Sequence, residues 1–197
     1  MSASSAANPL LAPWSTPFGV PPFSEIKPEH FQPAFEQALA EHRAEIDRIA
    51  SNPAAPTFEN TIAALENAGR TLDRVSAVFW NLASAHTNDA LQAIEREISP
   101  KLAQHWNAIT SNTALFARID SVMQSAETAG LDAEQKRVLE RTHLAFVRAG
   151  AQLAREEKKR LGEILERLAT LGTQFSQNVL ADEKTYELPL AEEDLVG

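Results

Sequence analysis

Residues 155–183 read REEKKRLGEILERLATLGTQFSQNVLADE, and their periodicity decides the fold class. Leu161, Ile164, Leu168, Leu171 and Phe175 recur at steps of 3, 4, 3 and 4, the repeat that keeps apolar side chains on one side of an α-helix. The stretch predicts a long helix from about Arg155 to Glu183 whose apolar seam packs against partner helices within the molecule.

The same periodicity extends backwards through the chain. Asp132 with Gln135 forms a capping box ahead of Val138, Leu139, Phe146 and Val147. Asn112 caps a short helix to about Met123, closed off by Gly130. Asn88 caps a helix through Leu91, Ile94 and Ile98, which Pro100 restarts or kinks before Leu102, Trp106 and Ile109. Thr57 caps a helix carrying Phe58, Ile62, Leu65, Leu72, Val75, Phe79 and Leu82 on one face. Pro33 suits a first helical position, with Phe35, Leu39, Ile46 and Ile49 following up to the Asn52-Pro53 break. Only Tyr186–Leu190 has the character of a strand. Seven of the 11 prolines lie in the first 33 residues, interleaved with Leu10, Leu11, Trp14, Phe18, Phe23 and Phe31. Each proline fixes φ and removes a donor, so this is an extended arm with enough apolar side chains to dock. The expected architecture is all-α: six or seven helices in antiparallel hairpins, after the arm and with at most one short strand near the C-terminus. Residues 1–32 form the arm, 33–184 the helical domain and 185–197 an acidic segment.

Composition agrees with that class. The 197 residues include 33 alanines but only 7 glycines, and Ala is the best helix former. The net charge is −9, of which −5 falls in the last sixteen residues; an acidic chain repels phosphate backbones, so no nucleic-acid partner is expected. Zero cysteines exclude disulfides, thiolate zinc sites and cysteine nucleophiles. No apolar run is long enough for a membrane span, and with Glu25 as the first charged residue no signal peptide is legible. A cytoplasmic location is expected.

The histidines are His30, His42, His86, His105 and His143, and no two stand four apart as zinc-binding His-Glu-x-x-His requires. Glu140-x-x-His143 occurs once, where a di-iron bundle needs it twice. Glu41, His42 and Glu45 share a helix and read as a solvated face. Lys158, Lys159 and Arg160 are interleaved with Glu156 and Glu157, again a solvated pattern. Gly162 and Gly172, the nearest two glycines, are ten residues apart, which excludes phosphate-cradling loops. No catalytic, cofactor-binding or metal residue is assigned, and the chain alone is expected to be inactive.

The remaining motifs carry a resemblance. Asn8-Pro9-Leu10-Leu11, Thr16-Pro17-Phe18-Gly19, Pro21-Pro22-Phe23 and Ile26-Lys27-Pro28-Glu29-His30-Phe31 resemble the opening of the oligopeptidase A, peptidyl-dipeptidase and thimet oligopeptidase family. Pro56-Thr57-Phe58-Glu59-Asn60-Thr61-Ile62, Ser99-Pro100-Lys101-Leu102, Phe146-Val147-Arg148-Ala149-Gly150-Ala151 and Phe175-Ser176-Gln177-Asn178-Val179-Leu180 follow in the family's order. The block from Phe146 and that from Ala85 to Leu91 are more similar to the peptidyl-dipeptidase branch.

The resemblance implies the N-terminal helical region of a zinc metallopeptidase that releases C-terminal dipeptides from short peptides. It also implies a role in walling the substrate channel. Zinc, His-Glu-x-x-His and the catalytic residues are expected in a remaining C-terminal part, which would be the main partner of this chain. Apolar surface meant for that part makes self-association an expectation for the chain alone. The alternative is a stand-alone helical module, derived from such a peptidase, that binds another protein.

Overall fold

The computed structural model describes residues 8–127, 129–191 and 194, and among them it is all-α, with six long helices and no strand. Helix α1 spans Phe31–Ala50, α2 Ala64–Glu66, α3 Arg70–Ala85, α4 Asp89–Thr110, α5 Thr113–Gln124, α6 Ala133–Arg148 and α7 Arg155–Thr185. Tyr186–Leu190 stay extended without pairing.

The arm docks through a few of its residues. The Asn8 side chain accepts from Leu10 N at 3.0 Å and donates to the His30 carbonyl at 2.8 Å, folding the arm back on the entrance to α1. Leu10 is completely buried among Phe31, Phe35, Val75 and Phe79. Trp14 donates to the Pro9 carbonyl, and the Arg74 guanidinium lies 5.2 Å from the Trp14 ring centre while donating to the Leu11 carbonyl. Phe18 and Phe23 are exposed instead, so apolar density alone overstated how much of the arm is anchored. A 3-10 turn at Pro28–His30 runs directly into α1, which begins at Phe31, two residues ahead of Pro33.

Helix α1 serves two cores. Its first half supplies Phe31, Ala34, Phe35 and Ala38 to a cluster with Leu72, Val75, Phe79, Leu91 and Ile98, in which Phe79 meets Phe31 and Phe35 edge-on at 5.2 and 5.4 Å. The second half supplies Ile46 and Ile49 to a cluster with Ile62, Ile109, Leu115, Ile119, Leu139 and Phe146. Helix α4 makes the same passage, from Leu91 and Ile98 to Ile109.

The single helix expected from Thr57 to Leu82 is broken. Thr57 does cap it, accepting from Asn60 N, but Phe58–Ala63 form a π-helical turn, α2 is short, and α3 starts afresh after Gly69. Gly69 has φ +78°, and a Cβ there would stand 2.9 Å from the His42 ring. Its N–H donates to Glu45 Oε2 at 2.7 Å. The break also divides the two cores: Phe58, Ile62 and Leu65 before it join the cluster of Ile46 and Ile49, whereas Leu72, Val75, Phe79 and Leu82 after it join that of Phe31 and Phe35. Pro100, conversely, interrupts nothing: α4 runs through it as one helix. The caps at Asn88, Asn112 and Asp132 form as expected.

Helix α7 lies antiparallel along α4. Lys158 reaches the Ser111 carbonyl at one end; at the other, Gln177 donates to the Gln92 carbonyl at 3.0 Å and Glu95 Oε2 at 2.8 Å. The seam expected to make this contact does not make it. Ile164, Leu168, Leu171 and Phe175 are exposed, the last by 70%, and Leu161 is only half-buried. Gly162 sits on α4 instead, so close that a Cβ would come within 2.6 Å of Asn107 Nδ2. Small side chains permit this close approach, and the larger ones are left on the other side.

Candidate functional site

Where α1 and α4 pass from one core to the other, each carries a histidine. His42 falls between Ala38 and Ile46, and His105 between Ile98 and Ile109. Both are buried, and His105 Nε2 lies 3.0 Å from His42 Nδ1. Trp106 stands edge-on to both rings. One nitrogen donates and the other accepts, which requires that both rings not be protonated on the facing atoms. Burial pushes His105 down to about 4, helped by the His42 ring and Arg43 beside it. His42 is also lowered by burial, against the opposing pull of Glu45 and Asp73. The pair is therefore neutral at physiological pH. His42 and Trp106 help to line a cleft of about 450 Å³, together with the charged residues Glu66, Asp73 and Arg141.

The solvated reading of Glu41, His42 and Glu45 holds for Glu41, which pairs with Gln37, and fails for His42. Glu45 is held by Gly69. The signal for the buried pair was in the sequence: His42 follows Phe35 by seven residues and precedes Ile49 by seven, on the apolar stripe of α1. His30 accepts from Lys27 N, His86 is exposed beyond the end of α3, and His143 contacts Asp120 at 3.0 Å while stacking on Phe116. Glu140 pairs with Arg137 rather than joining His143.

A second buried polar centre was missed altogether. Arg118 of α5 is 7% exposed and donates to the Asn52 carbonyl at 2.8 Å, the Ala54 carbonyl at 3.0 Å, Asn60 Oδ1 at 2.9 Å and Thr61 Oγ1 at 3.3 Å. Asn60 also accepts from Thr57 N and donates to the Ala55 carbonyl. The Pro56–Ile62 motif thus builds the capped π-helical turn that receives Arg118. It is a structural clamp between α5 and the loop after α1.

These residues do not fit a zinc ion. Among the described residues no three His, Asp or Glu side chains converge on a metal position. The two buried histidines face each other, and at their contact one nitrogen carries the proton while the lone pair of the other accepts it, so neither facing nitrogen has a lone pair left for a metal.

Comparison with known proteins gives the descent of this arrangement. The chain is 45% identical over 179 residues to a dipeptidyl carboxypeptidase of Salmonella typhimurium, covering 91% of this chain and 26% of that protein. The Escherichia coli dipeptidyl carboxypeptidase is 44% identical, over 90% of this chain and 26% of its own length. This chain is homologous to an N-terminal region of these peptidases. Oligopeptidase A of Salmonella typhimurium is 32% identical over 88% of the chain and 25% of that relative. The chain therefore spans about a quarter of the length of the curated relatives it matches. No family model matches it. No helix among the described residues is long and apolar enough to cross a membrane.

Proposed function

We propose that this chain is the non-catalytic N-terminal helical region of a cytoplasmic zinc metallopeptidase that releases C-terminal dipeptides from short peptides. Residues 1–32 are its docking arm, 33–184 the helical domain that helps to wall the substrate channel, and 185–197 the lead into the catalytic part. That part, and the peptides it admits, are the partners of the chain. Zinc belongs to the catalytic part, where it would activate the attacking water.

The observation that carries this reading is the step in identity, 45% to a dipeptidyl carboxypeptidase against 32% to oligopeptidase A over nearly the same residues. The test joins this chain to the remainder of the Escherichia coli dipeptidyl carboxypeptidase in place of that enzyme's own matching region. Chelator-sensitive dipeptide release is expected from the joined protein and none from the chain mixed with zinc and short peptides. Release by the pure chain, or a folded joined protein without activity, refutes the proposal.

A further inference from the structure

Helix α7 has a small-residue side and a large apolar side, and among the described residues only the first is covered. At about 100° per residue, Gly162, Ala169, Thr173 and Leu180 cluster on the least exposed side, the one laid on α4. Ile164, Leu168, Leu171, Phe175 and Val179 cluster about 140° away by the same geometry, each at least 40% exposed. Five large apolar side chains in one continuous stripe form a patch of the kind that marks an interaction surface.

A second, independent observation lies within that stripe. Gly172 is in the middle of α7, four residues after Leu168 and three before Phe175, and a Cβ there would meet nothing within 4 Å. Glycine weakens a helix interior, and here none of the described residues occupies the space it leaves. The other glycine of the same helix, Gly162, is explained by close approach of α4 at Asn107. One helix thus carries two glycines ten residues apart, one filled by a neighbour and one open on the apolar side.

We propose that a second helix packs across α7 at Gly172, seated between Leu168, Phe175 and Val179. The occupant is an apolar-faced helix of the polypeptide that the longer relatives possess beyond the quarter matched by this chain. Relatives of about four times its span supply the covering chain in cis, whereas a second copy would leave the longer proteins' own α7 to compete for it. The proposal rests on the peptidase reading for its occupant. It commits, in addition, to a face, a crossing point and the side chains that make it.

The test uses the 197-residue chain and the joined protein described above. The chain has no cysteine, so F175C and, on the opposite side of α7, E166C report local cover through thiol labelling, located by mass spectrometry. In the chain alone, in dilute solution, both thiols react at similar rates. In the joined protein F175C slows by about tenfold or more while E166C does not, because packing protects a site to the extent that it rarely opens. Gly172→Ala supplies the second readout. It raises the Tm of the chain alone by roughly 2–4 °C through helix propensity and lowers that of the joined protein by crowding the crossing.

Equal labelling of F175C in both forms overturns the proposal. So does a Gly172→Ala variant that stabilises both, or a joined protein that fails to fold as one unit. Protection of F175C that grows with concentration in the joined protein overturns the occupant in favour of a second copy. Dipeptide release is scored separately: protection without activity refutes the peptidase reading and leaves the crossing, whereas activity without protection does the reverse.

Discussion

Acidification should unfold this protein through the His42–His105 pair. His105 is lowered from 6.5 to about 4 in the folded chain, so between those values the unfolded chain binds a proton that the folded chain refuses. Stability is then complete above the unfolded value and is lost as pH falls from about 6.5 towards 4. For His105 alone the linkage relation gives a loss of about 2 kcal/mol between pH 7 and pH 5, and about 3 kcal/mol over the whole window. His42 adds to the loss in the same direction, since its own basicity is also reduced by burial. The geometry explains why protonation is resisted: a second proton at the 3.0 Å contact would set two N–H groups against each other. Urea unfolding followed by helical circular dichroism, at several pH values from 7 to 5, measures the slope. His105→Gln keeps an amide that can donate to His42 Nδ1 while removing the titrating ring, and it should take away most of that slope. A wild-type protein as stable at pH 5 as at pH 7, or a His105→Gln protein as pH-sensitive as wild type, refutes the reasoning.

Two further outcomes follow from other buried centres. Arg118→Ala removes all four donations to the Asn52–Thr61 segment and deprives the Asn52 and Ala54 carbonyls of this donor, so it should cost about 3 kcal/mol in urea unfolding. Arg118→Lys should recover only a minor part, because an ammonium cannot span the same fork. Leu10→Ala empties a fully buried position between α1 and α3 and should cost about 2–5 kcal/mol, whereas Phe18→Ala, on a fully exposed side chain, should change stability by less than about 0.5 kcal/mol.

Helical periodicity made the class and most helix limits legible, because capping is a local matter: Asn88, Asn112 and Asp132 each satisfy a donor three residues away. What escaped depends on contacts across the chain. Gly69 ends one helix and begins another because Glu45, on α1, takes its N–H and His42 fills the space beside its Cα. Arg118 is a surface-type residue by composition, and only the fold reveals the carbonyls that surround it. His42 and His105 are 63 residues apart, so their stripe positions hinted at burial without hinting at each other.

The apolar seam of α7 is the instructive failure. Its 3-4-3-4 repeat predicts a face that packs within the chain, and among the described residues that face is exposed, since periodicity identifies an apolar side without identifying what covers it. The small-residue side of the same helix, Gly162 with Ala169 and Thr173, has almost no hydrophobic signature and yet makes the contact with α4. Two glycines at ten-residue spacing were discarded as an incomplete phosphate loop. On a helix, ten residues span nearly three turns, so a helix with two sides bearing one glycine each can accept two close neighbours at different heights. Gly172, with empty space where Gly162 has Asn107, is the position at which that second neighbour is to be sought.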